Sequence, residues 1–200
     1  MSKKLVIAKR VCLGLAAFIA VFVGVVAMRP NTFRVERSTS IDAPPSAVFG
    51  QVNEFRKWQT WSPWEKLDPA MKKSFEGPAS GVGSIYAWDG NDQAGAGKLT
   101  ILESRPDELV RIKLEFTRPM EDVCTTEFAF KPEGKQTRVT WVMSGEHTFL
   151  SKAVCMFMNM DKMIGGDFEE GLARMKKIAE TPATQANAAS DEPTAATISR

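Results

Sequence analysis

Apolar residues recur every three or four positions in the last regular segment of the chain, from Phe149 to Glu180. They are Phe149, Ala153, Phe157, Met160, Ile164, Phe168, Met175 and Ile178. At about 100° per residue these positions share one broad face, and the charged residues lie elsewhere. Thr148 is a candidate N-cap, and Thr181-Pro182 ends the pattern. The pattern predicts one long amphipathic helix whose apolar face needs a large partner.

Shorter segments in which apolar and polar residues alternate precede this helix and predict β-strands. In the clearest of them, 109–117, every second residue is apolar: Val110, Ile112, Leu114 and Phe116. Comparable segments lie at 33–41, 72–76, 83–88, 98–104, 123–131 and 137–145. Turn-forming residues at 90–95 and 132–135 separate neighbouring segments. Successive strands with short turns predict an antiparallel meander with one apolar and one solvated face.

Short helices are predicted between the first strand and the others. The sequence Asp42-Ala43-Pro44-Pro45-Ser46 ends the first strand and begins a helix at 47–55. The following segment, 56–69, contains three tryptophans. Its two prolines, Pro63 and Pro69, prevent it from forming one long helix.

Two adjacent glycines, Gly165 and Gly166, lie inside the predicted long helix. Each costs about 1 kcal/mol of helix stability relative to alanine. We therefore expect a kink, or a close approach between helix and sheet, at this point.

An uncharged apolar run at 11–28 follows a basic segment at 1–10. As a helix, this run would span about 27 Å, close to the thickness of about 30 Å of a bilayer core. Its length favours a retained transmembrane anchor, because the core of a secretory signal is usually shorter. Cleavage after Ala27, which would give a soluble exported domain, is the alternative. The basic residues before the run favour a cytoplasmic N-terminus and a domain outside the cytoplasm. Arg29, Arg34 and Arg37, which follow the run, favour the opposite orientation.

The pattern divides the chain into five parts. They are a basic N-terminus at 1–10, an anchor at 11–28, a linker at 29–32, a folded domain at 33–180 and a tail at 181–200. The tail is rich in Ala and Thr and has no periodicity, so we expect it to be disordered.

Charge and cysteine content exclude several classes of partner. A net charge of +2, without Lys and Arg clustered among aromatic residues, gives no reason to expect nucleic acid. The cysteines, Cys12, Cys124 and Cys155, have no metal-ligand spacing. Alternation points Cys124 inward, whereas Cys155 lies off the apolar face of the helix, so we expect no bond between them. We predict neither a metal nor a cofactor.

The order of strand, short helices, strand meander and long C-terminal helix resembles the START-like, or SRPBCC, superfamily, in particular its polyketide cyclase/dehydrase and lipid transport branch. Three segments within 32–180 carry the resemblance: Ile41 to Pro44, Trp58 to Trp64 with Asp68-Pro69, and Met160-Asp161-Lys162 through Gly171-Leu172. The resemblance implies an α+β helix-grip fold, in which an antiparallel sheet curls around the C-terminal helix and leaves a cavity between them. Members of the superfamily bind lipids, sterols, hormones and polyketides, and some catalyse cyclisation or dehydration.

The residues that could line such a cavity are the clustered aromatic residues and the inward positions of the meander and the helix. Aromatic rings give large apolar areas with polar edges and gather in apolar pockets, although a domain of this size also buries such rings as core. The candidates are Trp58, Trp61, Trp64, Tyr86, Trp88, Ile112, Leu114, Phe128, Trp141, Met143, Phe157, Met160 and Ile164.

The sequence contains no catalytic motif. The single histidine, His147, follows the last strand at the mouth of the expected cavity, where a surface or capping role is the simplest explanation. Glu115 and Glu127 fall on outward strand positions, and Glu103 could face either side. We therefore assign no catalytic residue.

Two classes of function follow from this resemblance and this pattern. The first is a membrane-anchored binding or carrier module for a hydrophobic small molecule or lipid. The second is a cyclase- or dehydrase-like enzyme acting on an apolar substrate, because such chemistry needs few catalytic groups when the substrate is held in a reactive shape. An acid or base pointing into the cavity would favour the enzyme.

Overall fold

A computed structural model of the chain describes residues 3–147, 149–156 and 159–181. Two compact units are formed, one from residues 3–33 and 146–160 and one from residues 34–145 and 161–181. The predicted N-cap Thr148 and, beyond Thr181, the predicted disordered tail lie outside the described residues.

The chain forms five α-helices and seven β-strands within the described residues. The helices are α1 (Lys3–Ala27), α2 (Pro45–Asn53), α3 (Trp58–Trp61), α4 (Phe149–Cys155) and α5 (Met160–Ala179). The strands are β1 (Thr32–Ile41), β2 (Lys72–Glu76), β3 (Ile85–Asp89), β4 (Ala96–Arg105), β5 (Leu109–Arg118), β6 (Asp122–Glu133) and β7 (Gln136–Glu146). Every predicted strand is present, with ends that differ by a few residues.

In the smaller unit, α1 contacts α4. Side chains along α1, including Leu13, Phe18 and Val21, are exposed, whereas Val26 is buried. Among the residues that the structure describes, no helix combines the length and the hydropathy needed to cross a bilayer. The transmembrane part of the predicted fold, at 11–28, is therefore not supported.

The seven strands form one antiparallel sheet in the order β1-β7-β6-β5-β4-β3-β2. Strands β2 to β7 follow one another as the predicted meander, and β1 closes the row beside β7. This sheet and the helix α5 confirm the predicted α+β architecture, which fits a helix grip.

The register of the sheet separates an apolar inner face from a charged outer face. Ile101, Ile112 and Met143 lie at one level of the inner face and are buried. On the outer face, Arg111 forms ion pairs with Glu103 and Glu127. A bulge between Ile101 and Glu103 brings Glu103 to the outer side, which decides the position that the sequence left open.

The predicted single helix from Phe149 to Glu180 is wrong, because α4 and α5 are separate. The interruption falls between Cys155 and Met160, and Asn159 directly precedes α5. Asparagine is favoured at this position, since its side chain can accept a hydrogen bond from the first turn of a helix. Phe149, predicted to lie on the buried face, is exposed.

A close approach between β1 and α5 explains one of the two helical glycines. Arg37 of β1 donates from Nε to Glu169 Oε1 at 2.7 Å and from Nη1 to Asp161 Oδ1 at 3.0 Å. A Cβ atom at Gly165 would overlap the Arg37 guanidinium, whereas one at Gly166 would meet nothing within 4 Å. The expected close approach of sheet and helix is therefore a contact between the Arg37 side chain and α5. This contact requires glycine only at position 165.

Alanine substitutions at the two glycines should separate helix propensity from this contact. Gly166→Ala should raise the free energy of unfolding by about 0.5–1 kcal/mol, the ordinary gain of alanine over glycine inside a helix. Gly165→Ala should gain less, because its methyl group displaces Arg37 from Asp161 and Glu169. Urea unfolding of both variants measures the difference. Equal gains at the two positions would show that the Arg37 contact contributes nothing.

Candidate ligand-binding site

Trp141 lies at the centre of an aromatic cluster between the sheet and α5. Its ring stacks on Phe168 of α5, with centroids 4.0 Å apart and an interplanar angle of 5°. Its second stacking partner is Phe128 of β6, at 4.6 Å. Trp61 meets it edge-on at 5.6 Å. All four side chains are buried, so the interior is closed at this level.

The tryptophans of the cluster satisfy their polar atoms inside the protein. Trp58 Nε1 donates to the Val52 carbonyl at 2.9 Å, and Trp61 Nε1 donates to the Gln51 carbonyl at 3.0 Å. These two bonds attach α3 to α2. Trp141 Nε1 donates to Thr126 Oγ1 at 2.8 Å. Buried indoles with internal partners behave as structural anchors.

Glycine lets α5 approach the Trp141 ring closely. A Cβ atom at Gly171 would lie 2.9 Å from Cζ3 of Trp141 and 3.2 Å from Pro63. The predicted cavity residues Trp58, Trp61, Phe128 and Trp141 therefore form packed core in this arrangement.

Accessibility of the inner face rises toward the N-terminal half of α5. Along β5, Ile112 is fully buried, Leu114 is 7% exposed and Phe116 is half-buried. Along β7, exposure rises from 1% at Trp141 to 7% at Met143. On α5, Phe168 is fully buried and Ile164 is half-buried. We call this region, between Leu114, Met143 and Ile164, the open end of the grip.

Half-buried aromatic rings flank the open end. Trp64 meets both Trp141 and Phe168 edge-on, at 5.6 and 6.2 Å. Trp88 lies edge-on to Phe116 at 5.9 Å, and its Nε1 donates to the Ala94 carbonyl at 3.0 Å.

Asp167 of α5 directly precedes Phe168, and partial burial of its carboxyl raises the pKa of this group. Gly97 makes room for Trp88, because a Cβ atom there would lie 2.6 Å from the ring. Of the predicted cavity residues, Phe157 and the side chain of Met160 lie outside the described part of the structure.

A buried polar group beside the open end was missed by the sequence analysis. Glu65, in the short 3₁₀ turn Pro63–Lys66, has a side chain only 7% exposed. Its Oε1 accepts a hydrogen bond from the Tyr86 hydroxyl at 2.6 Å, and its Oε2 accepts one from Lys73 Nζ. The signal in the sequence was Lys73, which alternation places on the same face as Phe75. A lysine on an inner face needs a carboxylate partner.

The hydrogen bond between Tyr86 and Glu65 keeps the phenol in its protonated form. Burial, followed by the hydrogen bond to Glu65, raises the pKa of Tyr86. The phenol therefore stays protonated and donates to the carboxylate at neutral pH. Both Glu65 oxygens accept a hydrogen bond from a protein donor in this arrangement.

No metal site accompanies this group among the residues that the structure describes: they include no cluster of three or more His, Cys, Asp or Glu that could hold an ion. His147 belongs to the smaller unit, where its ring packs on Phe33 with centroids 5.2 Å apart.

Tyr86 is the single tyrosine of the chain, so phenolate absorbance reports its ionisation directly. The folded protein holds this phenol protonated at pH values where the unfolded chain, with a pKa of about 10, ionises it. The free energy of unfolding should therefore fall as pH rises above about 10, and phenolate should appear together with unfolding. Tyr86→Phe should weaken this pH dependence, and Glu65→Gln should let the phenolate form earlier. Ordinary titration of Tyr86 in the folded protein would contradict the buried hydrogen bond.

The family model described as "Polyketide cyclase / dehydrase and lipid transport" matches residues 32–180. None of the curated proteins matches the chain.

Several solved structures are similar in fold. Protein CV1439 of Chromobacterium violaceum is 15% identical, with a TM-score of 0.54 over 76% of this chain and 99% of the other. Major latex-like protein 151 of Panax ginseng is 12% identical, with a TM-score of 0.52 over 76% and 100%. The di-domain ARO/CYC protein BexL of the BE-7585A biosynthetic pathway is 16% identical, with a TM-score of 0.57 over 88% and 60%. At these identities the similarity establishes the fold alone.

The family match extends over most of the chain and ends with α5, so it includes the whole sheet, the aromatic cluster and the open end. The resemblance seen in the sequence is thereby confirmed. This chain belongs to the polyketide cyclase/dehydrase and lipid transport family of the START-like superfamily.

Proposed function

We propose that this protein binds a hydrophobic small molecule or lipid at the open end of its helix grip. The observation that carries the proposal is the gradient of burial along the inner face. Trp141 and Phe168 are almost completely buried, Leu114 and Met143 are each 7% exposed, and Ile164 is half-buried. A ligand at the loosened end would complete the cover of an apolar surface that the protein itself covers only in part.

The composition of the open end fits an apolar ligand with a small polar part. Its centre is aliphatic, and Trp64 and Trp88 add half-buried aromatic area at its margin. Few polar groups lie beside it, namely Glu65 with Tyr86 and the half-buried carboxyl of Asp167. Pockets for small molecules commonly combine a mostly apolar lining with a few polar groups that fix orientation.

A cyclase or dehydrase is the second candidate. It is favoured by the inward position of Glu65 and by the family description, which includes cyclases and dehydrases as well as lipid transport. Among its structural neighbours, BexL is an ARO/CYC protein. The binding function is the better supported, because both Glu65 oxygens are already hydrogen-bonded to Tyr86 and Lys73.

Binding of N-phenyl-1-naphthylamine, a neutral fluorescent probe, tests the proposal. The full-length protein should bind it with enhanced fluorescence, because the probe enters an apolar site. Ile164→Trp should lower the affinity at least tenfold, since the larger ring occupies the open end. Val123→Trp provides the matched control, because Val123 is 54% exposed and the same substitution there leaves the inner face unchanged.

Two results would contradict the proposal. One is a parent protein that does not bind the probe. The other is equal binding by the Ile164→Trp and Val123→Trp variants, which would place the probe elsewhere. Recovery of a bound compound with an altered structure after incubation would instead favour the enzyme.

The proposal includes a location at a membrane, with the N-terminus in the cytoplasm and the domain outside it. Support comes from the uncharged run at 11–28 and from the exposed apolar side chains of α1, such as Leu13 and Phe18. Apolar ligands partition into membranes, so a carrier placed there would meet them. We expect the chain in the membrane fraction with its first residues intact. A soluble protein that begins at Met28 would show cleavage and export.

A further inference from the structure

A pocket whose chemistry differs from that of the open end lies in the smaller unit. Its volume is about 120 Å³. It is lined by Arg29, Pro30, Thr32, His147, Lys152 and Cys155, together with Met156. Arg29 and Pro30 lie between α1 and β1, and Thr32 begins β1. Lys152 and Cys155 belong to α4, which His147 precedes and Met156 follows. The pocket therefore joins the end of α1 to α4.

Lys152 is the most unusual residue of this pocket. Although a lysine, it is only 8% exposed. Its ammonium group donates to Asn31 Oδ1, a neutral amide oxygen. A buried charge is costly unless a group of opposite charge compensates it. Lys152 has no ion pair among the described residues, so the site favours an anion.

The other lining groups add positive charge or hydrogen-bond donors. Arg29 supplies a guanidinium, whose fork of N–H groups matches the geometry of phosphate oxygens. His147 supplies an imidazole, with Nδ1 3.3 Å from Ser151 Oγ. Within the described part of the chain, no carboxylate lines the pocket.

Cys155 does not change the positive charge of the pocket. Burial raises the pKa of its thiol, so the group stays neutral at neutral pH and adds no negative charge. A metal cation is disfavoured because the ammonium of Lys152 and the guanidinium of Arg29 would repel it.

We infer that this pocket binds a phosphate group, held by Lys152 and Arg29. Two sources share this chemistry. One is free inorganic phosphate or a small phosphate ester. The other is the headgroup of a phospholipid, because Arg29 follows an apolar helix whose side chains are exposed, including Val25 and the preceding Met28. In the second case the acyl chains would lie along α1.

Binding measurements on the full-length chain test the inference. Inorganic phosphate is titrated by calorimetry, and sedimentation is measured with phosphatidylcholine vesicles that either contain or lack phosphatidic acid. The parent should bind phosphate, and if the source is a lipid, phosphatidic acid should increase sedimentation. Lys152→Gln keeps a donor for Asn31 but removes the charge, and it should weaken both effects at least tenfold.

Two further variants make the result specific. Arg29→Gln alters an exposed residue, so it tests the site without disturbing buried packing, and it too should weaken binding. Lys135→Gln, at an exposed turn of the other unit, causes the same change of net charge and should leave binding unchanged. Binding of phosphate without an effect of phosphatidic acid would identify the soluble source. No phosphate binding by the parent, or equal binding by all three variants, would overturn the inference.

Discussion

The stacking of Phe168 on Trp141 fixes the position of the C-terminal helix against the sheet. The two rings are 4.0 Å apart and nearly parallel, and Phe128 covers the other face of the indole. Because both faces are in contact, truncating such a ring leaves a cavity and costs about 3–5 kcal/mol. The hydrogen bond from Trp141 to Thr126 fixes the orientation of the indole within the stack. This contact fixes one point of α5 against the sheet. What remains to be fixed is the direction of the helix axis.

Contacts on the two flanks of α5, polar on one side and aromatic on the other, determine that direction. On the β1 side, Arg37 pairs with Asp161 and Glu169, and near the C-terminal end Lys176 Nζ donates to the Ser40 carbonyl at 2.8 Å. On the other side, Trp64 meets Phe168 edge-on. The helix is therefore held firmly over the aromatic cluster, while its half-buried Ile164 faces the open end. The proposed binding site at one end and the packed core at the other would both follow from this one placement of α5.

Alternation along the strands was sufficient to predict the sheet, because a sheet with one buried face requires an apolar residue at about every second position of each strand. It placed Ile112, Leu114 and Cys124 inward, where the structure has them. The same argument failed for polar residues that face inward with a partner distant in sequence. Arg37 is 132 residues from Glu169, so no local pattern reveals the pair. Glu65 was missed because it lies in a short 3₁₀ turn, where strand alternation predicts nothing, and only the inward Lys73, 8 residues away, indicated a carboxylate partner. The break between α4 and α5 was hidden by apolar spacing that continues across it.

Native mass spectrometry of the purified full-length protein tests the central claim most directly, namely that the loosened end of the grip is a binding site. The account predicts a complex heavier than the chain, which releases an apolar small molecule or lipid on activation in the gas phase. Bare protein that also takes up nothing after incubation with a lipid extract would contradict it. The helix grip would then be a solid core from end to end, and the half-buried residues around Ile164 would be ordinary surface.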